Sequence, residues 1–233
     1  MISNRARRTW AVVTALAVAF FGLAVLVRLD VLGGWDADIL QWARPDDGWG
    51  PAQIRADHIV QGLRPSRVAP LLAVLTVAFC VGRRSVRPLV LTGGVGAVTA
   101  ILTLLSKLAV GRPDPHHTAD SHGGSFPSGH VISLLVCLGL AVYLVWRDPR
   151  WWSWLAPAAG AFSMAAALIL TAAHWATDTF GGILLGTAVL VTVSAAGWNQ
   201  WAHDGSARVA LPPRPRRQPL NLPAGIQQSG AAE

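Results

Sequence analysis

The chain has 233 residues, of which 52% are hydrophobic and 13% charged, with a formal net charge of +7. Soluble domains carry about 25% charged residues, so this deficit, with apolar runs along the whole length, excludes an ordinary soluble domain and points to a membrane protein. The basic residues flank the apolar runs instead of clustering on one polar face, which argues against nucleic acid as a partner.

A spanning helix takes roughly 20 mostly apolar residues. Six runs qualify, at residues 9–27, 68–82 (extendable toward Arg64), 88–106, 129–146, 151–173 and 178–198. The first is long for a signal peptide and has no small-x-small cleavage site behind it, so it reads as a span. Arg5, Arg7 and Arg8 precede the first run, and Arg83, Arg84 and Arg87 separate the second from the third. Arg147 and Arg150 separate the fourth from the fifth, and Arg208, Arg214, Arg216 and Arg217 follow the sixth. With six spans these four segments share one side, which the positive-inside rule makes cytoplasmic. The expected fold is therefore an all-α integral membrane bundle of six transmembrane helices, with cytoplasmic N- and C-termini.

The opposite side receives residues 28–67, with the six aspartates Asp30, Asp36, Asp38, Asp46, Asp47 and Asp57, and the segments 107–128 and 174–178. Within the first loop, residues 36–42 suit a short amphipathic helix on the membrane surface. Tryptophans such as Trp10, Trp35, Trp146 and Trp198 lie near span ends, as interfacial anchors do. The cysteines, Cys80 and Cys137, lie inside apolar runs and read as small buried hydrophobes, not as a disulfide or a metal site. Residues 1–202 form the membrane domain in this reading. Residues 203–233, rich in Pro, Arg and Gln, form a disordered cytoplasmic tail.

The residues able to do chemistry fall at span ends. Lys107, the lone lysine, ends the third span; Pro127-Ser128-Gly129-His130 opens the fourth; His174 and Asp178 bracket the junction of the fifth and sixth. All three places share the outer rim, and ionisable groups at such depth are costly and usually functional. A helix starting after Pro127 offers backbone N–H groups without internal partners. Gly129 lets an anion approach them, and the helix dipole favours negative charge. These features make a phosphate cradle with His130 beside it, although Ser128 also suits a plain N-cap. If the segment is helical, His174 and Asp178 lie one turn apart on one face. A carboxylate on Nδ1–H leaves Nε2 as a nucleophile able to attack phosphorus, and a structural His–Asp pair at the rim is the alternative. Lys107 either neutralises a phosphate, with Arg112 nearby, or snorkels to headgroups.

In this order, Lys107, Arg112-Pro113, Pro127-Ser128-Gly129-His130 and His174 with Asp178 resemble the motifs of the type 2 phosphatidic acid phosphatase family, which includes undecaprenyl diphosphate phosphatases and is related to vanadium haloperoxidases. The resemblance spans about residues 88–197. It implies a lipid phosphatase in the cell membrane, with its site on the extracytoplasmic face and no metal or other cofactor. The substrate would be a polyprenyl phosphate or diphosphate, or a phosphatidate-type lipid, met among membrane lipids. It further implies that His174 forms a phosphohistidine, Asp178 orients it, and His130 protonates the leaving oxygen. Lys107, Ser128 and Gly129 would bind phosphate oxygens.

Two family arginines are missing. The first motif's arginine position, seven after Lys107, holds Asp114; the third motif's Ser-Arg positions hold Ala167 and Leu168. Three expectations follow. Arg112 shifts to grip the phosphate; or His116, His117, Asp120 and His122 supply donors or a metal site; or the chain is a non-catalytic relative that binds or transports lipid. Losing two charged grips removes several kcal/mol of transition-state stabilisation.

Overall fold

A computed structural model of the chain describes residues 4–116 and 124–204. Among these residues the architecture is all-helical. Helix α1, Asn4–Arg28, runs between basic ends. Helix α2, Gly33–Ala43, is closed by Pro45, and α3, Pro51–Leu63, starts on a proline, which suits a first helical position. Helix α4, Pro65–Arg83, starts the same way, and only the extended backbone of Arg64 separates it from α3. Helix α5, Arg87–Val110, ends where Gly111 turns left-handed at φ 63°. Helices α6, Gly129–Val145, α7, Leu155–Leu170, and α8, Ala176–Ala195, complete the bundle, and a short α9, Trp198–Asp204, closes it.

The six expected runs correspond to α1, α4, α5, α6, α7 and α8. Five helical stretches are long and apolar enough to cross a membrane, α3 and α4 counting together, and α6 is a shorter apolar helix. One expectation needs correcting. Residues 28–67 are not mainly loop, because α2 extends the expected 36–42 helix at both ends and α3 adds a helix that the sequence reading left out. The tail beyond Asp204 lies outside the described residues.

Helix α6 occupies the centre, packed by α4, α5, α7 and α8, while α1 lies against α8. Val131, Ile132, Leu134, Leu140 and Leu144 of α6 are buried. The α6–α8 seam depends on small residues. A Cβ at Gly182 would lie 3.0 Å from the Ser128 carbonyl oxygen, and one at Gly186 would lie 3.0 Å from the Leu135 side chain. Close backbone approach over glycines four apart is a recurrent device in membrane helices. By contrast α1, α4 and α5 expose Val18, Phe21, Leu71, Val74, Ile101 and Leu105. An apolar outer face around a packed interior fits a hydrocarbon solvent.

This packing gathers the C-terminal ends of α1, α5 and α7 with the N-terminal ends of α4, α6 and α8. Arg83, Arg84, Arg87 and Arg147 lie at the other end of the bundle.

Candidate active site

Three short connections meet at that first end. Lys107 sits in the last turn of α5, and its ammonium donates to the Gly124 carbonyl. Gly124 itself has φ 129°, and a Cβ there would lie 3.2 Å from backbone atoms of Arg112 and Lys107, so glycine is required. The returning chain is tied down by Ser125 N–H donating to the Arg112 carbonyl at 2.7 Å. Phe126, fully buried, stacks on Phe20 of α1 at 5.8 Å, and its ring covers Gly181, where a Cβ would clash at 2.5 Å. The Ser128 N–H then donates to the Asp178 carbonyl at 3.0 Å, joining the start of α6 to the start of α8. The Ser128 hydroxyl is buried without a hydrogen-bond partner among the described residues.

His174 follows the end of α7. Ala172 adopts φ 53°, and the N–H groups of Ala173 and His174 both fold back to the Leu168 carbonyl. A non-glycine residue in the left-handed region is strained, and such strain gathers at functional sites; here it turns the chain so that His174 faces α6. The His130 and His174 rings face each other edge to face, 6.2 Å between centroids. His174 Nδ1 lies 3.4 Å from Asp178 Oδ2, and that oxygen also accepts the Trp175 N–H at 3.1 Å. Asp178 is completely buried.

A cavity of about 390 Å³ opens above these groups, lined by Lys107, Asp114, Gly129, His130, Ser133 and His174 among others. The structure thus brings Lys107, Gly129, His130 and His174 to one space, with Asp178 directly behind His174. Lys107 is the one lysine or arginine among the described lining residues. Asp114 also lines it, with Oδ1 accepting the His116 N–H at 3.0 Å. Ala167 and Leu168 are buried within α7. His117, Asp120 and His122, raised above as donors or metal ligands, lie outside the described residues. Among the described residues no cluster of three or more His, Cys, Asp or Glu could hold a metal ion.

Arg112, expected to grip the phosphate, sits elsewhere in this structure. It does not line the cavity. The left-handed turn at Gly111 carries it behind Asp178, where Nη2 pairs with Asp36 Oδ2 at 2.8 Å and Nη1 reaches Asp178 Oδ1 at 3.5 Å. Its guanidinium also lies over the Trp175 ring at 4.8 Å. The sequence reading missed two other participants. Asp36, from α2, accepts the Thr177 N–H at 2.9 Å and the Thr177 hydroxyl at 2.6 Å. Arg44, the other buried loop arginine, is taken up by the carbonyls of Thr171, Asp47 and Gly48 and by the Asp47 carboxylate.

A second space adjoins the first. An apolar groove of about 630 Å³ runs between α4 and α5 over α6, past Ala73, Gly93, Gly96 and Leu140, and ends at Lys107 and Ser133. Pro65, Lys107 and Ser133 line both spaces.

The sequence from 86 to 202, half of the chain, matches the family model of the PAP2 superfamily. The chain belongs to the PAP2 superfamily. This is the family whose motifs the sequence resembles, and at the family level it supports a membrane lipid phosphatase. No curated protein sequence matches this PAP2 chain. Its fold is shared with a solved structure of a transmembrane PAP2-type phosphatidylglycerolphosphate phosphatase from Bacillus subtilis, at a TM-score of 0.67 and 18% identity, over 81% of this chain and 96% of that one.

Proposed function

We propose that this PAP2 protein hydrolyses the phosphate ester or diphosphate of a lipid through a phosphohistidine. His174 Nε2 attacks phosphorus while Asp178 holds Nδ1–H and stabilises the imidazolium. The bond from phosphorus to the leaving oxygen breaks, and His130 donates the proton that oxygen needs. A water activated by His130 then attacks the phosphohistidine, the P–N bond breaks, and inorganic phosphate departs. Lys107 and the first N–H groups of α6 hold the phosphate oxygens; the Ser128 hydroxyl, buried and outside the cavity lining, joins them once it turns toward the cavity, since it has no hydrogen-bond partner among the described residues. The observation that carries the reading is the meeting of His130, His174, Lys107 and the α6 start around one cavity, with a buried carboxylate behind His174.

The groove ending at Lys107 supports a lipid substrate, since its apolar lining suits a hydrocarbon chain attached to a phosphate at that ammonium. Polyprenyl phosphates or diphosphates and phosphatidate-type lipids, including the substrate class in the name of the Bacillus subtilis protein, all fit this description. The distribution of arginines supports a site on the extracytoplasmic face.

The cation-poor cavity, with Asp114, Ala167 and Leu168 at positions where the family has Arg and Ser-Arg, favours one second reading: a relative that binds lipid without turnover. The deciding experiment measures phosphate release from a panel of lipid phosphates by the purified protein in detergent. Turnover by the wild type that falls to background in His174→Ala is the expected result. Equal, slow release by both proteins across the panel rejects catalysis.

A further inference from the structure

We infer that Asp36, acting through Arg112, is a positioning residue for the His174 nucleophile, an inference that rests on the function proposed above. Asp36 lies outside the stretch that matches the family model, in a helix preceding α3, and is 1% exposed. A carboxylate so placed needs partners, and it has three. Oδ1 accepts the Thr177 N–H, and Oδ2 accepts the Thr177 hydroxyl and pairs with Arg112 Nη2. The Thr177 oxygen in turn accepts from Arg112 Nη1 at 2.7 Å, so the hydroxyl's single proton and its lone pair are both assigned.

The consequence is a line of alternating charge, Asp36–Arg112–Asp178–His174. Two carboxylates share one guanidinium unequally, with Asp36 at 2.8 Å and Asp178 at 3.5 Å. Coulomb attraction grows as the pair closes, so Asp36 takes the larger share of the arginine's charge. Asp178 keeps more of its own negative charge to offer His174 Nδ1–H. The planar fork of Arg112, stacked on Trp175, also fixes where Asp178 Oδ1 can lie. A cap for α8 alone requires only the Thr177 contacts; the arginine between the two carboxylates ties the cap to the nucleophile.

The test uses the full chain in detergent, with turnover number, KM and inhibition by inorganic phosphate measured together. Asp36→Asn keeps the shape and an acceptor for Thr177 N–H but removes the charge. The turnover number should fall about 10–100-fold, the usual cost of losing a residue that orients a reacting group, while KM and phosphate inhibition stay as in the wild type. Arg112→Lys, which keeps the charge but loses the fork, should show the same split. Should Asp36→Asn not fold, Thr177→Val removes only the bridging hydroxyl and should again lower turnover and leave KM alone. Weakened phosphate inhibition in Arg112→Lys, rising with KM, would place Arg112 on the phosphate and overturn the inference. Wild-type turnover in folded Asp36→Asn overturns it as well and leaves the proposed function standing. A wild type with no His174-dependent turnover removes both.

Discussion

The centroids of the two histidine rings stand 6.2 Å apart, and under the proposed reaction one ring serves phosphorus while the other serves the leaving oxygen. Replacing His130 with Ala should lower turnover about 10²–10⁴-fold, the range for a lost general acid. The deficit should shrink for an aryl phosphate whose leaving oxygen needs no proton, and comparison of the two substrates checks it. Asp114 sets a second expectation. Its carboxylate lines the cavity where the proposed reaction holds phosphate, and neutralising it relieves repulsion of about 1 kcal/mol for charges some 4 Å apart in water. Asp114→Asn keeps the acceptor for His116 N–H and should lower KM for an anionic lipid by roughly fivefold at low salt, and by less as salt screens the charge. At this scale the sequence is informative where residues are local: Ser128-Gly129-His130 is contiguous, and His174 meets Asp178 four positions on, although across the start of α8 and not along one helix. Asp36 was illegible because its partner Thr177 lies 141 positions away. Proximity to Lys107 in sequence likewise does not reveal that, past the turn at Gly111, Arg112 pairs with Asp36 and Asp178 while Lys107 lines the cavity.

Helices α6 and α8 meet over glycines, and that seam holds the site as well as the bundle. At Gly182 the atom in the way of a Cβ is the backbone oxygen of Ser128, which cannot yield as a flexible side chain can. Gly182→Ala should therefore push the start of α8 away from the start of α6 and strain the Ser128–Asp178 tether. We expect a loss of about 1–3 kcal/mol in stability, seen as a lower unfolding temperature in detergent, together with reduced turnover. Gly94→Ala, with nothing within 4 Å of the added atom, is the matched control and should leave both unchanged. Hydropathy revealed α1, α4, α5, α7 and α8 because each is long and apolar. Helix α3 was missed because Arg55, Asp57 and His58 interrupt its pattern, and its packing on α7 is a tertiary fact.

Across the whole molecule the site cavity and the apolar groove adjoin, with Pro65, Lys107 and Ser133 lining both. Gly96 lines the groove and has open space beside it, so Gly96→Phe should fill the groove without disturbing the bundle. Long-chain lipid phosphates should then show a raised KM, while a short, water-soluble phosphate ester is cleaved as before. Helix α6 adds a depth to this picture. Its 17 residues span about 26 Å at 1.5 Å per residue, less than the roughly 30 Å hydrocarbon core, so α6 upright in a bilayer would not reach both faces. Under the proposed reaction the adjoining cavity and groove then sort the two products by solvent. The dephosphorylated lipid slides sideways into the bilayer and the mineral anion escapes upward to water, so the halves of the broken ester are handed to separate phases and seldom meet again.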